Sequence, residues 1–383
     1  MNNKNLKVAI VHDWLTNFGG AERVIKVFEN IFPQACIYTT VFDKKNMSKY
    51  FNEEKIVTSF IDKIPMSEKL YTKLLFLMPN AFESFNLTKY DIVLSSSSSC
   101  AKGIITGPNT MHISYIHTPM RYAWDLYYEY YNNANFITKF FMKRIIPNIR
   151  QWDVLNTSRI DYLIANSNYV RNRIKKYYRR NSEVIYPPVD TEFFKPINGV
   201  TKDYYLIVSR FVSYKRIDLA IKAFNNLGKR LIVVGSGEQE KKLKEIAKSN
   251  IIFTGRVSDK ELMKYFQECK ALIFPAREDF GIIPLEAQSC GKPVIAFGAG
   301  GALETVEHLK TGYLFKDQTV QSLQFAITNF EEKNYEEKYI REHAKKYSKE
   351  RFIIQLRNYI YNKYKEFNEE KSKNIINNNI DFL

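Results

Sequence analysis

Cysteine is scarce: Cys36, Cys100, Cys269 and Cys290 are the only four in 383 residues, and no two form a C-x-x-C pair. Such spacing argues against metal cages and a disulfide framework and points to a reducing cytosol. Long apolar runs are missing too. No stretch reaches the roughly 18 residues needed to cross a bilayer, and MNNKNLKVAIVHDW passes into a strand-like run without the apolar core of a secretory signal. A chain neither exported nor threaded through a membrane is expected. The dinucleotide fingerprint G-x-G-x-x-G is absent: Gly19 and Gly20 stand alone after the first strand, and in G-S-G-E-Q-E the third glycine position is Glu240. A Rossmann dehydrogenase is therefore disfavoured. No Asp-x-Asp pair is present to hold a metal against a nucleotide sugar, and His12, His112, His308 and His343 lack metal-ligand spacing. No metal site is expected.

The chain is longer than one ordinary domain, and 45% hydrophobic residues exclude general disorder, so two folded units are expected. A formal net charge of +16 invites nucleic acid or an anionic membrane surface as partner. A genome rich in Lys and Asn codons would give the same excess. No zinc finger, RNP-like aromatic motif or concentrated basic helix is present, which argues against nucleic acid.

Short apolar runs alternate with amphipathic segments: LKVAIV, ACIYTT, DIVLSS, MHISYI, DYLIANS and EVIYPPV, then YYLIVSR, RLIVVG, IIFTG, ALIFPA and PVIAF. This is the rhythm of βαβ units around two parallel sheets, an α/β fold. Pro187, Pro188, Pro196 and Gly199 break the text between the two sets, where the interdomain linker is placed. The expected organisation is a first domain over 1–187, a second over 201–350, a helix over 351–366, and a frayed tail over 367–383.

Three places suit a diphosphate. Gly19 and Gly20 stand where the first strand turns into a helix, so backbone N–H groups can approach an anion closely. An ordinary βα turn needing glycine explains them equally. Arg210 at a strand end and Lys215 at the head of the next helix put a planar fork and a point charge on one loop, although solvated basic residues are common there. In ALIFPAREDFGIIPLEAQSCGKPVIAF, Glu278 lies in a loop and Glu286 within the helix opening near Gly281, seven residues between them. The turn after Phe280 would aim free N–H groups at a phosphate, and a carboxylate one turn on could accept from sugar hydroxyls.

These residues resemble the retaining family-4 glycosyltransferases, whose Glu-x7-Glu motif, Arg/Lys pair and Gly-Gly loop match Glu278/Glu286, Arg210/Lys215 and Gly19/Gly20 in order along nearly the whole chain. The resemblance implies a GT-B fold: two Rossmann-like domains, the active site in the cleft between them, and a C-terminal helix, here 351–366, crossing back to the first. It also implies roles. Arg210 and Lys215 bind the donor diphosphate, Glu278 the donor sugar, Glu286 the ribose, and Gly20 the diphosphate through its backbone. His117 binds and orients the sugar. Gly235, Arg256, Val257, Phe280, Gly281, Ile282 and Ile283 complete the donor site. The segment YIHTPMRYAWD looks like the WbaZ-like mannosyltransferases of O-antigen assembly, which implies GDP-mannose as donor and a glycan or polyprenyl-linked acceptor of surface polysaccharide synthesis. A UDP-sugar donor, a GT-B epimerase and a non-catalytic binding protein stay open as alternatives.

The implied chemistry needs no metal and no cofactor. Fixed cations and helix-terminal N–H groups would stabilise the leaving diphosphate while the acceptor hydroxyl attacks on the same face. Basic residues beside aromatics in 59–90 (Lys63, Lys69, Lys73) and in FITKFFMKRIIPNIRQW (Lys139, Lys143, Arg144, Arg150) suit peripheral attachment to the anionic inner face of the cell membrane. A core-facing helix with a solvated basic side is the competing reading.

Overall fold

The computed structural model describes residues 6–380 apart from 198 and 200, and for 373–380 the backbone alone. The chain divides into two compact units, one of residues 1–186 with 353–383 and one of residues 187–352.

Unit 1 holds seven strands: β1 Val8–His12, β2 Cys36–Thr39, β3 Ile56–Thr58, β4 Ile92–Ser97, β5 Met111–Ile116, β6 Tyr162–Ala165 and β7 Glu183–Val184. Their order is β3-β2-β1-β4-β5-β6-β7, and each neighbouring pair is parallel. Unit 2 holds β8 Tyr205–Val208, β9 Leu231–Val234, β10 Ile251–Gly255, β11 Leu272–Phe274, β12 Val294–Phe297 and β13 Gly312–Phe315, ordered β10-β9-β8-β11-β12-β13 and again parallel. Side chains alternate across this sheet. Tyr205, Ile207, Leu231, Val233 and Ile273 enter one core, whereas Leu206, Ile232, Val234, Leu272 and Phe274 enter the core on the other face. Strands buried on both faces read as unbroken apolar runs, which is why they stand out in the text.

The helix Gly20–Ile31 follows β1 and buries Val24, Ile25, Val27, Phe28 and Ile31 at helical spacing. Its first turn is closed by the Glu22 carboxylate, whose Oε2 accepts from Gly19 N–H at 2.8 Å. In each sheet the connections reverse direction once, between β1 and β4 in unit 1 and between β8 and β11 in unit 2. Loops leaving adjacent strands in opposite directions part from one another, and the crevice beyond the strand ends there is where such sheets take ligands.

The proline-bearing segment read as a linker is packed onto unit 2. Phe194 is 1% exposed in its core, and Val189 N–H donates to the Tyr347 carbonyl at 3.0 Å. Two adjacent phenylalanines, Phe193 and Phe194, supply the apolar anchor that the prolines masked. The last helix runs over Lys349–Ile380, through most of the tail expected to fray, and residues 381–383 of that tail lie outside the described residues.

Candidate functional site

In unit 2 the switch point gathers the sequence-predicted residues. Arg210 follows β8 by two positions and is exposed; Lys215 ends a single helical turn, Ser213–Lys215; Glu278 follows β11. Lys215 Nζ is ion-paired with Glu278 Oε1, the two side chains only 17% and 12% exposed. The ammonium also lies 5.2 Å from the Tyr214 ring centroid. Gly235, just past β9, has φ +133°, and a Cβ there would lie 1.8 Å from the Ser209 carbonyl oxygen. Only glycine lets the β9 loop approach the backbone that carries Arg210. Arg256, just past β10, is exposed and donates from Nε to Ser236 Oγ at 2.8 Å, while Val257 packs on the core.

Gly281, at φ +90°, opens the helix Ile282–Ser289. Phe280 before it is buried and Ile282 and Ile283 are half-buried, and the first-turn N–H groups of this helix have no partner within it. Glu286, in the second turn, is 0% exposed.

Two site-shaping residues escaped the sequence reading. Gly301 N–H donates to the Glu278 carbonyl at 2.9 Å, a Cβ at Gly301 would meet the Phe280 Cα at 2.3 Å, and one at Gly300 would meet the Glu278 carbonyl oxygen at 2.3 Å. The pair Gly300–Gly301 fixes the loop of Glu278 from behind. The signal was legible as the Gly-Gly of FGAGGALE.

In unit 1 the corresponding edge carries His12 at the end of β1, the exposed Gly19 and Gly20, Ser96 on β4, and half-buried His117 just past β5. His117 Nε2 lies 2.7 Å from Ser96 Oγ, which in turn lies 3.2 Å from His12 Nδ1; His12 Nε2 lies 3.2 Å from Glu22 Oε1. Burial opposes charge on His12, yet the Glu22 carboxylate, with Asp13 and the Ser96 carbonyl, raises its pKa above 6.5. Asp13 is buried at 1% exposure. Its carboxylate accepts from the N–H groups of Ser98, Ser99 and Ala101 at 2.6, 2.9 and 2.8 Å and shapes the serine-rich loop.

The distinctive 117–125 segment is anchored from below. Arg173 Nη1 donates to Thr118 Oγ1 at 2.8 Å and pairs with Asp125, and Trp124 Nε1 donates to Asp153 Oδ2 at 2.7 Å. Asp153 also pairs with Lys102, with side chains 0% and 1% exposed. The remaining histidines serve the fold. His112, fully buried against Ser95 Oγ at 2.8 Å, has its pKa pushed down to about 3, chiefly by burial and then by Arg159. His343 lies 3.0 Å from Glu307 Oε1, and His308 Nδ1 accepts from Leu314 N–H at 3.0 Å. Burial pushes the Cys100 and Cys269 thiols up to about 12, which leaves them unreactive.

Residues 18–193 match the family described as Glycosyltransferase Family 4, and residues 189–350 match Glycosyl transferases group 1. Each half of the chain thus carries a glycosyltransferase domain, and its two parallel-sheet units have the GT-B fold. Among its relatives is the alpha-1,3/1,6-mannosyltransferase ALG2 of Dictyostelium discoideum, 25% identical over 379 residues that cover 81% of this chain and 86% of that one. An uncharacterized glycosyltransferase of Methanocaldococcus jannaschii is 29% identical over 198 residues, covering 50% of this chain and 56% of the other. The GDP-mannose-dependent alpha-(1-6)-phosphatidylinositol monomannoside mannosyltransferase of Mycobacterium tuberculosis is 30% identical over 192 residues, covering 42% and 50%. The match thus spans about half of each of the last two relatives. In fold the chain is similar to HepE of Anabaena, solved in complex with UDP (TM-score 0.68, 18% identity, 94% of this chain and 100% of that one). Sucrose-phosphate synthase of Thermosynechococcus elongatus is similar too (TM-score 0.70, 16% identity, 94% and 100%).

Proposed function

We propose that this glycosyltransferase is a retaining, metal-independent mannosyltransferase that takes mannose from GDP-mannose and passes it to a glycan or polyprenyl-linked acceptor of surface polysaccharide. One observation carries the site: Lys215 and Glu278 meet at the switch point of unit 2, with Arg210 on the same loop. A cation beside a carboxylate suits a diphosphate joined to a sugar, the ammonium taking the phosphate and the carboxylate the hydroxyls. In this reading Arg210, Lys215, Gly20, Gly235, Arg256, Val257 and the Phe280–Ile283 turn hold the donor, with Glu286 at the ribose and His117 at the sugar. Mannose is supported by the names of two relatives, and the WbaZ-like subgroup rests on the 115–125 segment alone. A UDP-sugar is the second reading, because HepE was solved with UDP.

Thermal-shift measurements with GDP, UDP and ADP separate the two. GDP at 100 times its Kd stabilises by about 2.7 kcal/mol, and a larger response to UDP at equal concentration removes GDP-mannose. Transfer to acceptor glycan, with donor hydrolysis measured in its absence, distinguishes a transferase from an epimerase or a binder.

Peripheral attachment to the cytoplasmic membrane face completes the proposal. On the helix Phe136–Asn156, Phe136 is 85% exposed and Ile137, Phe140 and Phe141 are open to solvent beside Lys143 and Arg144. The stretch 59–90 suits this less, since Ile61, Met78, Phe82 and Phe85 are buried in the core. No helix among the described residues is long and apolar enough to cross a membrane. Co-sedimentation with liposomes rises with anionic lipid, falls with salt and drops in Phe136→Ser/Phe140→Ser; indifference to all three removes the attachment.

A further inference from the structure

Each ring nitrogen of His12 faces one oxygen that can only accept, Nε2 the Glu22 carboxylate and Nδ1 the Ser96 carbonyl. Nε2 lies 3.2 Å from Glu22 Oε1, and Nδ1 lies 3.2 Å from the Ser96 carbonyl oxygen and 3.2 Å from Ser96 Oγ. A neutral imidazole has one N–H and one lone pair, and a lone pair aimed at a carboxylate or carbonyl oxygen is repelled. A neutral ring could take the Ser96 hydroxyl proton at Nδ1, but its lone pair would then also face the Ser96 carbonyl; only the doubly protonated ring makes the Glu22 and Ser96 carbonyl contacts attractive together. The surrounding charges agree: the helix Gly20–Ile31 contributes Glu22 and the turn after β1 contributes Asp13, while β4 supplies neutral Ser96 and the end of β5 titratable His117. His12 and Glu22 are 2% and 8% exposed, so water does not replace these partners.

We infer that Glu22 and His12 are positioning residues: an imidazolium at His12, held by Glu22, donates to Ser96 and thereby aims the Ser96 hydroxyl proton at His117 Nε2. Ser96 Oγ has one proton. With His12 donating to it on one side, that proton goes to Nε2 of His117, 2.7 Å away, and the His117 ring keeps its own proton on Nδ1. His117 then meets a sugar hydroxyl as a hydrogen-bond donor, and its basic nitrogen is already engaged. The same carboxylate accepts from Gly19 N–H at 2.8 Å, so one residue sets both the Gly19–Gly20 turn and the orientation of His117. The catalytic consequence rests on the sugar-binding role proposed for His117; the protonation pattern does not.

The first experiment needs no substrate. In the full chain with 15N-labelled histidine, NMR at pH 7 shows both His12 nitrogens protonated and His117 with its proton on Nδ1. A neutral His12, or a His117 protonated on Nε2, overturns the inference. Glu22→Gln removes the stabilising charge and lowers the His12 titration by about 1–3 pH units. Ser96→Ala is the second variant, with a smaller change at a packed site: His12 stays charged while His117 loses its tautomer preference, and an unchanged single tautomer there refutes the relay. The second experiment is the pH–rate profile of mannosyl transfer from GDP-mannose. Activity needs the protonated His12, so the rate falls as pH rises through its pKa, and Glu22→Gln moves that limb down by the same about 1–3 units. A limb that stays in place under a lowered plateau assigns Glu22 a merely structural role. If the wild-type chain transfers no sugar, the proposed function fails while the NMR result still decides the protonation pattern.

Discussion

Lys215→Ala lowers kcat by about 100- to 1,000-fold, or about 2.7–4 kcal/mol, and raises the donor KM far less. The asymmetry follows from where charge grows. As the sugar–phosphate bond breaks, negative charge builds on the departing diphosphate, so a fixed ammonium contributes more to the transition state than to the bound donor. Lys215 is already held in place by Glu278 with both side chains largely enclosed, which means little reorganisation is required when the donor arrives. Removing it also leaves the Glu278 carboxylate beside the place proposed for the diphosphate without its cation. Arg210→Ala acts in the same direction. Steady-state kinetics over a donor series decide the matter: an unchanged kcat with a raised KM means that Lys215 binds the ground state only, and its leaving-group role is lost.

Lys102→Met destabilises unit 1 by about 3–5 kcal/mol. Lys102 and Asp153 are fully enclosed, and Asp153 accepts two further bonds, from Trp124 Nε1 at 2.7 Å and the Tyr178 hydroxyl at 2.9 Å, while Lys102 Nζ donates to the Ser99 carbonyl at 2.9 Å. Deleting the ammonium strands a buried carboxylate between neutral donors. The companion variant Lys102→Met/Asp153→Leu recovers part of the loss, because an apolar pair of similar volume avoids the unpaired charge. Urea unfolding measures both; a single-variant loss below about 1 kcal/mol contradicts the enclosure of the pair.

Most of the fold was legible because a strand buried on both faces has to be apolar along its whole length. LKVAIV, DIVLSS, YYLIVSR and RLIVVG declared themselves in this way. β3 and β13 did not, since β3 is three residues without a buried side chain and β13 four residues opening on Gly312, too short for a pattern to show. The donor side of the candidate site was readable from residue types that suit phosphate and hydroxyl groups, and the structure brings Lys215 and Glu278 together 63 residues apart in sequence. What escaped was the supporting layer. Glu22, Ser96 and Lys102 look like ordinary surface residues in the text, and only the parallel pairing of β1 with β4 puts Ser96 beside His12. Trp124 and Asp125 made the 115–125 segment conspicuous, yet their polar atoms are spent on Asp153 and Arg173, which ties that signature to loop shape at least as much as to substrate.

From Ile353 onward the last helix belongs to unit 1, although all of unit 2 precedes that part of it in the chain. Ile360 is 4% exposed, and together with Tyr361 and Tyr364 it lines a hollow with Leu6, Ile31, Phe32 and Ile92. On the ribosome the earlier-made body thus waits, its hydrophobic flank uncovered, until the later one has emerged in full. A chain cut before residue 353 would carry every strand of both sheets and still leave that flank of the first body open.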